Sequence, residues 1–396
     1  MQLSAMDDNG KPVDWWFAYK VAGKAQASQT SKTKATLPDG GGAVKGTEYV
    51  YFDANSPQDG KLTLSSCRVD KNGALPNTLN QLYGEQGLST QHLGWIFYND
   101  ENPINKVVNG QRGHTKGVLA FELGTNTGFW LIQSTPLFPL QGKYGFPDTG
   151  MPNAQTLLCI TLSSADVARQ IAAQMFAAQQ PNVYLASQIP VDLENSPNDP
   201  RVLLMKDQII SGNTPVTSVI PFTSKGGVKF SSIAKNKYWG LDFYNDLVGP
   251  TLHENLDVET WGHAAVPGSL DSDKIHTVVD MTGIDLTPLG YNIYWPESND
   301  HAKLAISARS ESTHFICVGD INFTVPMEKR SGGTVAFQCE PLYTSLSSTL
   351  VGVTTHLKPG SKMEKLQTAR RSASATAAAA SPKAKGATPK KAAAKK

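Results

Sequence analysis

The chain has 396 residues, a formal net charge of +2, 40% hydrophobic and 18% charged residues, a balance that fits a globular protein and excludes an intrinsically disordered one. No apolar run approaches the roughly 18 residues that span a bilayer, so no membrane partner is expected. The opening MQLSAMDDNG has neither a basic n-region nor an apolar h-region. No signal peptide is therefore expected, leaving a cytoplasmic protein or a secreted one whose leader has been removed.

Strand-like runs come first: Val13–Val21, Glu48–Asp53, His92–Asn99, Gly117–Leu123, Gly128–Ser134 and Thr156–Leu162, each bounded by Gly, Asn, Asp or Pro. Ser163–Gln180 then predicts a helix: Ser163 or Ser164 can cap it, and Val167, Ile171, Met175 and Phe176 share one face. The polar, Pro-rich Pro190–Pro200 reads as a connector between halves. Further strands are predicted at Gln208–Ile210, Val216–Phe222, Val228–Ile233, Lys303–Ser307, His314–Gly319 and Thr334–Gln338. The Gly40–Gly42 run and Ser331–Gly333 read as loop and turn. Trp15, Trp16, Trp95 and Trp130 lie in apolar runs and read as core. Strands with interspersed helices indicate an α/β fold, organised as residues 1–190, residues 191–365 and a tail.

The tail differs in kind. Residues 366–396 hold two Arg, six Lys and no acid, a charge of +8 that leaves −6 on the preceding 365 residues. With no large apolar side chain after Leu366 the segment is expected to be disordered, and its charge suits a polyanionic partner or simple solubility. The four cysteines, Cys67, Cys159, Cys317 and Cys339, match no metal-ligand spacing. Cys159 reads as a buried thiol, and Cys317 and Cys339 are either bridged or free.

The chemistry is concentrated in a repeat. RGHTKGVLAFEL (112–123) is followed by GFWLIQSTP (128–136), and DHAKLAIS (300–307) by HFICVGDIN (314–322). Each half thus carries His-x-Lys, an apolar strand, a turn and a second strand ending on a small polar residue. His114 lies 20 residues before Ser134, and His301 lies 19 before Asp320 and 21 before Asn322. A lone His-x-Lys carries little weight, because Lys is seldom buried and such pairs arise by chance. Two in matching contexts form an internal duplication.

Residues i and i+2 of a strand share a face, so each His and Lys project together from a strand entrance. Two pairs around one point supply what in-line displacement at a phosphodiester needs: an imidazole nucleophile, an imidazole acid for the leaving oxygen, and ammonium groups for the non-bridging oxygens. The candidate catalytic residues are His114, Lys116, His301 and Lys303, with Ser134, Asp320 and Asn322 as candidate substrate contacts. No metal and no cofactor is expected. The remaining histidines, His92, His253, His263, His276, His314 and His356, read as structural or surface, His314 being the lesser candidate beside the site.

The repeated His-x-Lys resembles the phospholipase D superfamily, without the acid that follows Lys there (Phe121 and Ala308 stand instead) and with Gly319-Asp320-Ile321-Asn322 close to its second element. GKPVDWWFAYK (10–20), EYVYFDA (48–54), GHTKGVLAF (113–121), GFWLIQSTPLFP (128–139), QTLLCITL (155–162), DHAKLAIS (300–307) and CVGDIN with KRSGGTV (317–335) more closely resemble the deoxyribonuclease II family, over about residues 10 to 345. The resemblance implies a metal-independent acid endonuclease leaving 3′-phosphate and 5′-hydroxyl ends, and two phospholipase D-like subdomains with a pseudo-two-fold axis, each a mixed β-sheet flanked by helices. It also implies one site between them, and a dimer that clamps double-stranded DNA. Met6 replaces an N-terminal family cysteine, Cys339 is displaced from its family position and the basic tail is additional, which points to an intracellular or bacterial-type member. Two other readings stand beside it: a phosphodiesterase acting on a non-nucleic-acid substrate such as a phospholipid head group, and an inactive DNA-binding protein.

Overall fold

The computed structural model describes residues 2–83, 91–210, 212–262, 276–309 and 311–353; His263, His356 and the basic tail lie outside these. The main strands, in chain order, are β1 Trp15–Lys20, β2 Tyr49–Asp53, β3 Thr63–Leu64, β4 Leu93–Asn99, β5 Lys116–Glu122, β6 Thr127–Gln133, β7 Gln155–Thr161 and β8 Val183–Ala186. They continue with β9 Thr217–Thr223, β10 Lys229–Lys235, β11 Leu256–Thr260, β12 Val278–Asp280, β13 Lys303–Ser307, β14 Phe315–Gly319 and β15 Gly332–Gln338.

The first eight form one sheet in the order β8-β4-β5-β6-β7-β1-β2-β3, and the last seven another in the order β9-β10-β15-β14-β13-β11-β12. Every pairing in the first sheet is antiparallel, so the expectation of a mixed sheet fails there. Only β5 and β6 are joined by a tight turn, residues 123–126, of the kind that links antiparallel neighbours; the other connections are long. The second sheet is mixed through a single parallel pair, β11 with β12.

The sheets face each other across one core. Leu119 and Phe121 of β5, Trp130 and Ile132 of β6 and Leu158 and Ile160 of β7 meet Leu304 and Ile306 of β13, Ile316 and Val318 of β14 and Val335 and Phe337 of β15. Alternate residues point outward and are buried again: Val118, Ala120, Leu131 and Cys159 under N-terminal elements, Ala305, Cys317 and Ala336 under Phe243, Tyr244 and Phe323. Burial on both faces explains why the sequence shows continuous apolar runs instead of alternation. Pro221 is tolerated in β9 because that strand is an edge, paired only with β10.

The predicted helix is Ala165–Gln174, capped by Ser164, whose side chain accepts from Val167 N. A π turn, Met175–Gln179, extends it, and Gln180 ends it in the left-handed region at φ 50°. Val167, Ile171 and Met175 enter the shared core; losing a cap of this kind costs about 1 kcal/mol.

Two further expectations fail. Gln208–Ile210 joins no sheet; Asp207 turns the chain at φ 48° and its carbonyl and carboxylate hold Arg112, leaving Ile209 and Ile210 exposed. Gly332 and Gly333 are not a turn but open β15, paired with Lys235 and Ala234. A Cβ on Gly332 would lie 2.5 Å from Ile321 Cδ1, so glycine here lets the 320–322 segment close on the strand. Cys159 is buried, and Cys317 and Cys339 are both free thiols. No helix among the described residues is long and apolar enough to cross a membrane.

Candidate active site

Lys116 and Lys303 are the first residues of β5 and β13, with His114 and His301 two positions outside each strand. Each pair grows from one sheet and is held by the other. His114 N donates to Ser331 O at 2.8 Å, its Nδ1 to the carbonyl of Asp320, and Lys116 N to Asp320 Oδ1 at 3.2 Å. Reciprocally, His301 N donates to Ala154 O at 2.9 Å and Lys303 N to Thr156 Oγ1 at 3.4 Å. The candidate polar residues sit in the same frame: Ser134 N donates to Thr156 O and Asp320 N to Gly333 O. In each half the acceptor of the His amide therefore lies two residues before the acceptor of the small polar residue's amide. Gly113 permits this packing, since a Cβ there would stand 2.0 Å from Gln179 O.

Three of the four side chains, His114, Lys116 and Lys303, are brought within electrostatic reach of one another. Burial first, and the Lys116 ammonium second, push Lys303 down to about 7, against the pull of Asp300, Asp100 and Glu101. Burial and then Lys116 also push His114 down, to about 3, with Lys303 and Arg330 acting in the same sense and Asp100 opposing. The imidazole is thus neutral. Because a carbonyl can only accept, the bond to Asp320 O fixes its proton on Nδ1 and leaves the Nε2 lone pair available. His301 is buried and packs against Trp261, ring centroids 4.1 Å apart.

The two lysines differ in their partners. Lys116 Nζ is bonded to Asp100 Oδ1, and Arg330 Nη2 takes the other carboxylate oxygen at 2.9 Å. Burial alone would raise Asp100, but Lys116, His114 and Arg330 outweigh it and hold its carboxyl well below the usual range. Lys303 Nζ donates instead to the carbonyl of His301. Its neighbouring carboxylate, Asp300, is saturated by Tyr19 Oη at 2.6 Å, Trp295 Nε1 at 2.7 Å and Ala302 N at 2.7 Å.

The candidate substrate contacts fare differently. Ser134 is buried and its hydroxyl is engaged, donating to Gln155 Oε1 at 2.7 Å and accepting from Thr156 N at 3.0 Å. Asp320 is buried beside Lys116, and burial pushes its carboxyl up to about 8. Asn322 is buried, and its Oδ1 has no hydrogen-bond partner among the described residues. His314 lies elsewhere, stacked on Tyr343 at 4.3 Å with Nδ1 on Glu340. Sequence reasoning missed Asp100, Arg330, Trp261 and Asp300. The signal for Asp100 was the hairpin register, in which Asn99 pairs with Lys116. Among the described residues no group of three or more His, Cys, Asp or Glu is placed to hold a metal ion.

The Deoxyribonuclease II family model matches residues 4–356. A putative deoxyribonuclease-2 of Burkholderia pseudomallei (strain K96243) is 42% identical over 357 residues, covering 88% of this chain and 93% of its own. Deoxyribonuclease-2 of Caenorhabditis elegans is 31% identical over 371 residues, with 87% and 92% covered. Deoxyribonuclease-2-alpha of Rattus norvegicus is 31% identical over 366 residues, with the same coverage. The chain belongs to the deoxyribonuclease II family and is a hydrolase, a nuclease that cleaves phosphodiester bonds.

Proposed function

We propose that this protein is a metal-independent acid endodeoxyribonuclease that works through a phosphohistidine on His114. The observation that carries the reading is the Asp320 carbonyl on His114 Nδ1, which presents a neutral Nε2 to phosphorus. His114 Nε2 forms the N–P bond as the P–O5′ bond breaks, and His301 gives its proton to the departing O5′. His301 then takes a proton from water as the water's oxygen attacks phosphorus and the N–P bond breaks, releasing a 3′-phosphate and regenerating both rings. Lys116 and Lys303 hold the non-bridging oxygens and offset the charge that gathers there.

The reciprocal hydrogen bonds between the sheets support a phospholipase D-like pair of halves, residues 1–190 and 191–365, about a pseudo-two-fold axis. In this reading Asn322 is the substrate contact with a free acceptor, Asp320 sets His114, and Ser134 ties the end of β6 to β7. A two-fold dimer on duplex DNA, the commonest assembly, completes the proposal. The test is plasmid incubated with the protein at acid pH in excess EDTA, followed by end-group analysis. Cleavage leaving 3′-phosphate and 5′-hydroxyl ends is expected. Loss of cleavage in EDTA, restored by Mg²⁺ or Zn²⁺, contradicts the mechanism.

A further inference from the structure

Asp100 sits at the end of β4 in the first half of the chain, and Arg330 enters β15 from the second. The carboxylate is buried, 1% exposed, yet it carries a cation on each oxygen: Lys116 Nζ on Oδ1 and Arg330 Nη2 on Oδ2. Arg330 is itself fixed from behind. The buried Lys235 of β10 donates to the carbonyls of Met327 at 2.9 Å, Glu328 at 3.0 Å and Arg330 at 2.7 Å. The backbone that delivers the guanidinium is thereby gathered onto one ammonium group. Among the described residues no equivalent bridge serves Lys303, whose ammonium donates to the carbonyl of His301.

A carboxylate can anchor one lysine by itself, but anchoring an arginine of the opposite half as well does something more. It makes the direction of the Lys116 ammonium depend on the two halves being correctly apposed. An ammonium on a four-carbon stem is otherwise a mobile point charge. Here it is aimed by a partner that is aimed in turn.

We propose that Asp100 and Arg330 are positioning residues, a cross-half bridge that directs the Lys116 ammonium at the scissile phosphate. The inference rests on the nuclease reading given above. The bridge also carries an electrostatic consequence. Lys303 faces Lys116, His114, Asp320, Asp300, Glu101 and Asp100. Of these Asp300, Asp100 and Glu101 favour its charged form, so removing the Asp100 carboxylate lets the Lys303 proton leave at lower pH.

The test uses the full-length protein and supercoiled plasmid, with the wild type and His114→Ala measured alongside. Asp100→Asn is expected to lower kcat by about 10- to 100-fold, as partners of catalytic groups do, with little change in KM, and to move the alkaline limb of the pH–rate profile to lower pH. Arg330→Ala loses activity in the same direction and Arg330→Lys recovers most of it. In single turnovers at acid pH, below the alkaline limb, Lys116→Ala/Asp100→Asn is no slower than Lys116→Ala, because there Asp100 acts through Lys116. An Asp100→Asn variant as active as wild type, an unshifted limb, or losses that multiply in the double variant would overturn the bridge. Should Asp100→Asn not fold, the Arg330 pair decides: equal activity of Arg330→Ala and wild type overturns it, loss with recovery in Arg330→Lys supports it. A wild type that does not cut DNA overturns the nuclease reading itself, whereas a cutting wild type with silent Asp100 and Arg330 variants overturns only the bridge.

Discussion

The Nδ1 of His114 points at the backbone carbonyl of Asp320, a residue 206 positions away on the other sheet. That single hydrogen bond fixes the tautomer, the ring orientation and the atom left for attack. Substituting alanine at His114 is expected to reduce cleavage by at least about 10³-fold, and at His301 by a similar factor, since each ring serves as one member of a unit. Initial rates on plasmid measure both, and near-normal activity in either variant removes the two-histidine scheme.

The pH dependence follows from Lys303. Its ammonium is needed in the transition state, and burial with Lys116 brings it down to about 7. Activity should therefore fall as pH rises through neutrality, on the alkaline side of an acidic optimum. A kcat/KM profile between pH 5 and 9 checks this; a rate that climbs across that range refutes it.

Glu259 of β11 offers a stability test. It is 0% exposed, and burial, then Asp300, Asp280 and Glu297, raise its pKa well above the usual carboxylate range. A group with a raised folded-state pKa contributes stability that is full below its unfolded pKa and is lost as pH rises towards the folded one. Glu259→Gln removes that titration. Relative to the variant, the wild type should lose stability as pH rises above the ordinary Glu pKa of about 4.3. Parallel curves of Tm against pH for the two proteins would show that Glu259 does not titrate in this way.

Much of the fold was legible because buried sheets leave apolar runs. β5, β6, β7, β13 and β14 fall within a residue or two of their predicted limits. β11 was not legible: Leu256–Thr260 includes Asp257 and Glu259, which read as solvent-facing, yet both are buried because the strand is internal, between β13 and β12. The glycines at 332 and 333 signal a turn by composition, and only the close approach of Ile321 shows why a strand needs them. The His-x-Lys pairs were visible because they repeat. Asp100, in the ordinary-looking turn YNDEN, was hidden, since its role depends on an arginine 230 residues away.

The basic tail lies outside the described residues and its role is a proposal. If it neutralises phosphates, a variant ending at Ala369 binds DNA more weakly at low salt and with a flatter salt dependence, by about 0.9 in log–log slope for each phosphate that the tail neutralises. Its single-turnover cleavage rate should be unchanged. Titrations across salt concentrations measure this; unchanged affinity and slope would assign the eight charges to solubility.

The covalent intermediate on His114 is open to direct isolation. The substrate is a 5′-labelled duplex whose O5′ at the cleavage position is replaced by sulfur, because a thiolate leaves without needing an acid. In His301→Ala the first step then proceeds while the water-dependent second step lacks its base. After an alkaline quench, which preserves phosphohistidine, mass spectrometry should find the labelled strand attached through its 3′-phosphate to His114, and His114→Ala should acquire no label. Label on another residue, or turnover of this substrate with no covalent species in His301→Ala, would contradict the account.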